Sequence, residues 1–214
     1  MNCDCYFCDG LFQLNKKIGL ASDKSIIYQD DNVFITPDIA PVVEGHFLII
    51  TKYHWNSFAN VDNDTYISLE RAKKYLKRSV FKNKRILFFE HGAVKENTAG
   101  ACIDHAHMHV IPIPFDIDID IDIDKFISMY VSSKKMIANK YSIQKCAKDE
   151  QPYVFYEIDR SRQWYYPVEV VPHQLFRMIV SFRSFVKQYR WGEQYKTDRS
   201  KELFNNTLML GRRE

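Results

Sequence analysis

Residues 104–112 read Asp-His-Ala-His-Met-His-Val-Ile-Pro, so His105, His107 and His109 alternate with Ala106, Met108 and Val110. Alternation with period two is the pattern of a β-strand with unlike faces. It puts three imidazoles on one face and the apolar residues in a core behind them. His105 and His109 then stand roughly 13 Å apart at Cα. Burying three imidazoles without use is expensive, and neutral imidazole suits nucleophilic and proton-transfer work near pH 7. In such a row the middle ring can attack, while a flanking ring donates to the oxygens of the group attacked. A three-histidine metal site and plain structural use are the alternatives.

A strand of this kind needs a sheet around it. Residues 25–28 and 33–35 read as two short strands about a turn. His46-Phe47-Leu48-Ile49-Ile50-Thr51 and Arg85-Ile86-Leu87-Phe88-Phe89 read as buried strands. Between them, residues 64–81 carry Ile67, Leu69, Ala72, Leu76 and Val80 near helical spacing, with Asp62 or Asp64 as cap. The expected fold is α+β, an antiparallel sheet with a helix packed on one face. Beyond it, 153–158 and 163–169 predict a hairpin closed by residues 159–162. Residues 172–189 predict a helix opened by Pro172, with Leu175, Ile179, Phe182 and Val186 as its core face. Residues 198–209 predict a last short helix. The expected division is a core at 1–115 and an extension at 116–214, made of an acidic loop, the hairpin and the helices, packed on that core. Within 116–124, Asp116, Asp118, Asp120, Asp122 and Asp124 alternate with isoleucines. The expectation is an exposed edge strand or mobile loop; a calcium loop is the sharper alternative.

Composition narrows the function. Fifteen Phe, 13 Tyr and three Trp supply too much apolar surface for a disordered chain. No apolar run reaches the roughly 20 residues of a membrane span. Thirty basic against 27 acidic residues, net +3, is too balanced for a protein held on duplex DNA by charge. It leaves room for a small anionic ligand. The first residues have no basic and apolar leader pattern, and the odd count of five cysteines, three within the first eight positions, is no disulfide framework. A cytoplasmic location is expected, where Cys5 and Cys8 have the spacing to share a tetrahedral zinc. A free reduced pair, competition from Cys3, or a redox-labile Cys3–Cys5 pair are the alternatives. Cys146 reads as a buried or half-exposed thiol.

The row His105-Ala106-His107-Met108-His109-Val110-Ile111 resembles the signature of the histidine triad (HIT) superfamily of nucleotide hydrolases and transferases. Residues 33–54 are similar to the family's amino-terminal half, with Asp38-Ile39, Gly45-His46 and Lys52-Tyr53-His54 as landmarks, and Cys5-Tyr6-Phe7-Cys8 resembles the Cys-x-x-Cys of its zinc-bearing bacterial-type members. The resemblance covers roughly residues 5–115. It implies a HIT-like fold and a homodimer. It implies that His107 attacks the α-phosphorus of a nucleotide to form a nucleotidyl-histidine that water hydrolyses, that His109 bonds a phosphate oxygen, and that His46 supports the row. Asp38 would hold ribose hydroxyls and Ile39 the base. A structural zinc would take Cys5, Cys8, His54 and His105.

The chain departs from the family before the row. Glu90-His91-Gly92 stands where Asn-x-Gly is common, and Gly100-Ala101-Cys102 where Gly-Gln-Ser is common. Cys102 falls where leaving-group contacts are made, and Gly100 and Ala101 let backbone N–H groups approach a phosphate. Glu90 could contact a base or a cationic substrate; the expectation is a strand-end carboxylate facing water. Gln174 and Arg177 share a helix side and could reach a phosphate, against the blander expectation of a solvated flank. The basic and aromatic mix from Arg160 to Arg190 is expected to close over the pocket or pack on the core rather than bind a single nucleic-acid strand. The expected function is a nucleotide hydrolase that cleaves a nucleoside monophosphate group from a dinucleoside polyphosphate, phosphoramidate or similar compound. A nucleotidyltransferase, or a weakly catalytic zinc-stabilised nucleotide- or RNA-binding module, is the rival reading. The family's sugar-nucleotide transferase branch usually has Gln at the third triad position, so His109 argues against that branch.

Overall fold

The computed structural model describes residues 5–10, 15–16, 18–20, 24–114, 118–159, 162–184, 186 and 189–212. Its strands are β1 (Tyr28–Gln29), β2 (Val33–Pro37), β3 (Phe47–Thr51), β4 (Arg85–Gly92), β5 (His107–Ile113), β6 (Met136–Ile137), β7 (Tyr153–Ile158) and β8 (Gln163–Pro167). They form one antiparallel sheet in the order β1-β2-β3-β5-β4-β7-β8-β6. The histidine strand β5 is central: Ile50 of β3 lies opposite His107, and Phe89 of β4 opposite His109. β7 pairs along the outer edge of β4, from Leu87 opposite Ile158 to Gly92 opposite Tyr153. The hairpin of the second half therefore continues the sheet of the first. Gly92 is required there, because a Cβ would lie 2.2 Å from the Tyr153 ring.

Each sheet face buries a separate apolar set. One face holds Ile49, Phe88, Met108 and Phe155 against α1 (Asn63–Tyr75) and α3 (Lys140–Lys148). Ala106, Met108 and Val110 are buried on it, as the alternation requires. Asp62 caps α1, accepting from Thr65 N–H at 2.8 Å. The opposite face carries two clusters. Leu87, Phe89, Ile111 and Tyr156 pack with α2 (Ile119–Ser128) and α4 (Leu175–Arg183). Phe34, Leu48 and Ile50 pack with Phe204 and Leu208 of α6 (Asp198–Gly211). The short α5 (Trp191–Gln194) precedes α6. Helices thus cover both sheet faces, and the histidine row lies in the gap between the two clusters of the second. No helix of the described residues is long and apolar enough to cross a membrane.

Three expectations are corrected. The Asp-Ile run is neither an edge strand nor a loop: from residue 119 it is helix α2. Period two contains the i, i+4 relation, so Ile119, Ile123 and Ile127 form a buried stripe while Ile121 stays exposed. Asp120 and Asp124, also four apart, grip Lys135 at 2.9–3.1 Å, and Asp122 pairs with Arg183. Asp118 caps the helix, accepting from Ile121 N–H, and the other described carboxylates of the run face cations of the same chain; Asp116 lies outside the described residues. Helix α4 is shorter than expected. It starts after Gln174, whose φ of +61° is left-handed, and its core face is Leu175, Phe176, Ile179 and Val180, while Phe182 is 65% exposed. On α1, Ile67 is exposed although Leu69 and Ala72 are buried. The α-helix ends at Tyr75 and passes into a π-helical turn, Leu76–Val80. Residues 160–161 of the expected hairpin loop lie outside the described residues.

Candidate active site

A cleft opens over β5. His107, His109, Asp38, Ile39, Gly100, Ala101 and Cys102 all line it. His46 lies behind His109, fully buried.

Hydrogen bonds settle which nitrogen of each ring carries the proton. His107 Nδ1 lies 2.6 Å from the His105 carbonyl. A carbonyl only accepts, so Nδ1 is the protonated atom and Nε2 presents its lone pair. Burial holds His107 below the usual histidine value, which keeps that lone pair free at neutral pH. Val42 N–H donates to His46 Nδ1 at 3.3 Å. His46 is pushed down to about 3 by burial, against the raising effect of Asp38, so it is neutral and its single proton sits on Nε2. That proton points at His109 Nδ1, 2.9 Å away. His109, also held neutral by burial, must then carry its proton on Nε2. The relay leaves one bare nitrogen on His107 beside one N–H on His109, with ring centroids 5.0 Å apart. Phe89 stacks on His109 at 4.5 Å and fixes its plane.

Asp38 anchors this relay. Its Oδ1 accepts from Ala40 N–H at 2.7 Å, and its Oδ2 from Arg177 Nη1 at 2.8 Å. His46 Nε2 lies 3.5 Å from the same Oδ2. Burial would raise this carboxyl, but Arg177, then His46 and the Ala40 amide, hold it below its usual value. Arg177 is 2% exposed and also donates to the carbonyls of Ala40 and Tyr189 and to Gln194 Oε1. It is neither a solvated flank nor a free phosphate arm.

The loop before β5 is held from the second half of the chain. Gly100 has φ +71°, and a Cβ there would meet the Pro172 carbonyl at 2.6 Å. Gln174 N–H donates to the Gly100 carbonyl at 3.2 Å, and His173 Nδ1 to that of Ala101 at 3.1 Å. Burial raises the Cys102 pKa, so Cys102 presents a protonated thiol to the cleft.

Glu90 is the residue that the structure sets apart. It is 2% exposed rather than facing water, and it points to the opposite sheet face, accepting from Phe58 N–H at 2.7 Å and Tyr153 O–H at 2.7 Å. Even parity on β4 places it there: Ile86, Phe88 and Glu90 share the α1 face. Cys146 is buried on that side too.

Cys5, Cys8, His54 and His105 come together, with donor atoms within 4.8 Å of one another. Cys5 Sγ and Cys8 Sγ lie 3.3 and 3.5 Å from His105 Nδ1, and Cys8 Sγ lies 3.3 Å from His54 Nδ1. These are close to the ~3.5 Å sulfur–nitrogen edge of a tetrahedron with zinc-type bond lengths. His105 Nε2 faces the Thr51 carbonyl at 2.8 Å, so its proton lies there and Nδ1 offers a lone pair to the cluster. The donor set fits a thiophilic metal. Cys3 lies outside the described residues. His105 belongs to this cluster and His109 to the Asp38–His46 group, so the three row imidazoles do not converge on one ion.

Among the groups that line the cleft, sequence reasoning missed Tyr6, Phe7, His91 and Trp191. Phe7 sits edge-on to His107 at 5.1 Å, and Tyr6 to Trp191 at 5.6 Å. The signal for His91 was the parity of β4, which puts Leu87, Phe89 and His91 on one face. Nothing in the sequence pointed to Phe7.

Residues 20–115 match the HIT domain family. A hypothetical histidine triad nucleotide-binding protein from Sulfolobus tokodaii is 25% identical, over 68% of this chain and 90% of its own, with a TM-score of 0.39. A Zn-bound histidine triad family protein from Mycobacterium smegmatis is 21% identical, over 54% and 78%, at 0.39. Yeast Ap4A phosphorylase in complex with AMP is 15% identical, over 69% and 59%, at 0.46. No curated protein matches the chain.

Proposed function

We propose, from the premise that residues 20–115 form a HIT domain, that this protein hydrolyses a nucleotide through a covalent nucleotidyl-histidine on His107. The observation that carries the reading is the tautomer relay, which leaves a bare Nε2 on His107 beside an N–H on His109. The Nε2 lone pair attacks the α-phosphorus, and the bond from phosphorus to the leaving group breaks with its electron pair. The leaving group takes a proton from solvent or from the Cys102 thiol. Water then attacks the same phosphorus, the N–P bond returns its pair to Nε2, and the water proton passes to solvent or, where Cys102 gave its proton to the leaving group, back to that thiolate. His109 Nε2–H bonds a non-bridging oxygen in both steps, where charge builds up. Splitting the displacement in two avoids direct attack of water on a charged phosphate.

Asp38 retains lone pairs for a ribose hydroxyl, since a carboxylate has about four acceptor sites. Ile39 and Leu48 form an apolar wall for the base, and Gly100 and Ala101 lie against the phosphates. Cys5, Cys8, His54 and His105 would hold zinc in a structural role, since four protein ligands would leave no open position, and the ion would pin the amino-terminal arm beside the cleft. The 1–115 core carries the reacting groups, and 116–214 builds the far wall.

The test is incubation with labelled dinucleoside polyphosphate and adenosine phosphoramidate, with the adduct trapped by mass spectrometry. A nucleotidyl mass on the peptide holding His107 is expected. His107→Ala should lose both adduct and turnover, by at least ~10³-fold. Turnover unchanged in that variant would refute the mechanism.

A further inference from the structure

One histidine of the cleft has no task in the mechanism above. His91 lines the cleft and is 7% exposed. Its Nε2 is buried with no hydrogen-bond partner among the described residues. Leaving such an atom unpaired costs ~1–3 kcal/mol, so a native site that retains it calls for a partner supplied from outside the chain.

The sheet register says where that partner sits. The β4–β5 pairing ends with Phe89 opposite His109; continued by two residues, the same register brings His91 to the level of His107 on the same face. The ring is wedged edge-on between Phe89 at 6.1 Å and Phe176 at 5.4 Å, which leaves it little freedom to turn. Across β5, on the β3 side, the wall is Leu48 with Ile39, both apolar and buried. The two sides of His107 are thus chemically unlike. An apolar wall suits a base; a buried imidazole beside the Gly100 loop suits oxygen atoms that carry negative charge.

We propose that His91 is a further phosphate-binding residue of this site, its Nε2–H donating to a phosphate oxygen on the β4 side of His107 while His109 holds one on its own side. The ligand class is a nucleotide with more than one phosphate, or pyrophosphate itself. Burial pushes His91 down to about 3, so it acts as a neutral donor and not as a general acid. The inference deepens the hydrolase reading and rests on it for the identity of the reacting group.

The test is calorimetric binding of inorganic pyrophosphate and, separately, of adenosine, to wild type, His91→Phe and His91→Gln. Phe fills the slot between two aromatic rings without a donor, and Gln restores one; thermal melts verify that each variant folds. Expected is a pyrophosphate Kd weakened by about 10-fold in His91→Phe, largely recovered in His91→Gln, with adenosine binding unchanged. Three results would overturn the proposal: equal pyrophosphate affinity in His91→Phe, loss of adenosine binding instead, or no pyrophosphate binding by wild type. The adduct test on His107 is independent of this one. Pyrophosphate held through His91 with no adduct would sink the hydrolase reading and leave the phosphate site standing.

Discussion

The chemistry at single residues here is decided by which atom of a ring holds a proton and which face of a strand a side chain takes. Alternation made His107 and His109 legible as residues of one strand face, because period two is local and needs no partner strand. It could not say that His107 donates to the His105 carbonyl, or that Val42 sets the tautomer of His109 through His46, which is 63 residues from His109 in sequence. Glu90 shows the same limit. Its position at the end of an apolar run suggested water, but its parity sends it under α1, where burial raises it to about 7 from 4.5, against the lowering effect of the Phe58 N–H and the Tyr153 O–H. The fold therefore prefers the protonated form. Its contribution to stability is fully present below about pH 4.5 and is lost as pH rises through about 7. Glu90→Gln mimics the protonated carboxyl. Compared with wild type in urea unfolding, it should gain on the order of 3 kcal/mol between pH 4.5 and pH 8. A constant difference across that range would refute a raised Glu90.

Among elements, α2 and the amino-terminal arm are the instructive cases. The Asp-Ile run reads as extended on periodicity alone, but alternation also satisfies the i, i+4 stripe, and a sheet face with Leu87, Phe89 and Tyr156 to cover selects the helix. Asp120 in the first turn favours it further. The arm is a π-helical turn, Tyr6–Gly10, too short to hold itself against the sheet. Its thiols supply the attachment, and Phe7, between them, is placed edge-on to both His105 and His107. A metal held by these thiols would be coupled to the cleft shape through that one ring. Stripping metal with a chelator, or Cys5→Ser, is expected to release the arm. Elemental analysis should show about one zinc lost per chain, tryptophan emission should shift as Tyr6 leaves Trp191, and AMP affinity should fall about 10-fold. AMP affinity unchanged on full loss of metal would separate the arm from the cleft.

At the scale of the whole molecule, the two halves of the chain are joined at the site itself. β7 continues the sheet from β4, the 171–174 segment holds the Gly100 loop, and Arg177 reaches the carboxylate that anchors the histidine relay. Arg177→Met leaves Asp38 buried without its guanidinium, and such a loss costs about 3–5 kcal/mol. Denaturant unfolding should register that loss, and Asp38→Asn in the same chain should return part of it; no recovery would show that Arg177 acts through packing alone. The sequence by itself determined the histidine strand, its buried back face, the surrounding strands of the first half, and two cysteines at the spacing of metal ligands. Each of these follows from a local period or spacing. Only the tertiary structure decided that the Asp-Ile run is a helix, that Glu90 turns away from the cleft, that Arg177 is a buried anchor, and that Phe7 and His91 flank His107. Those outcomes depend on which surface a segment meets after long-range pairing, and no local pattern carries that information.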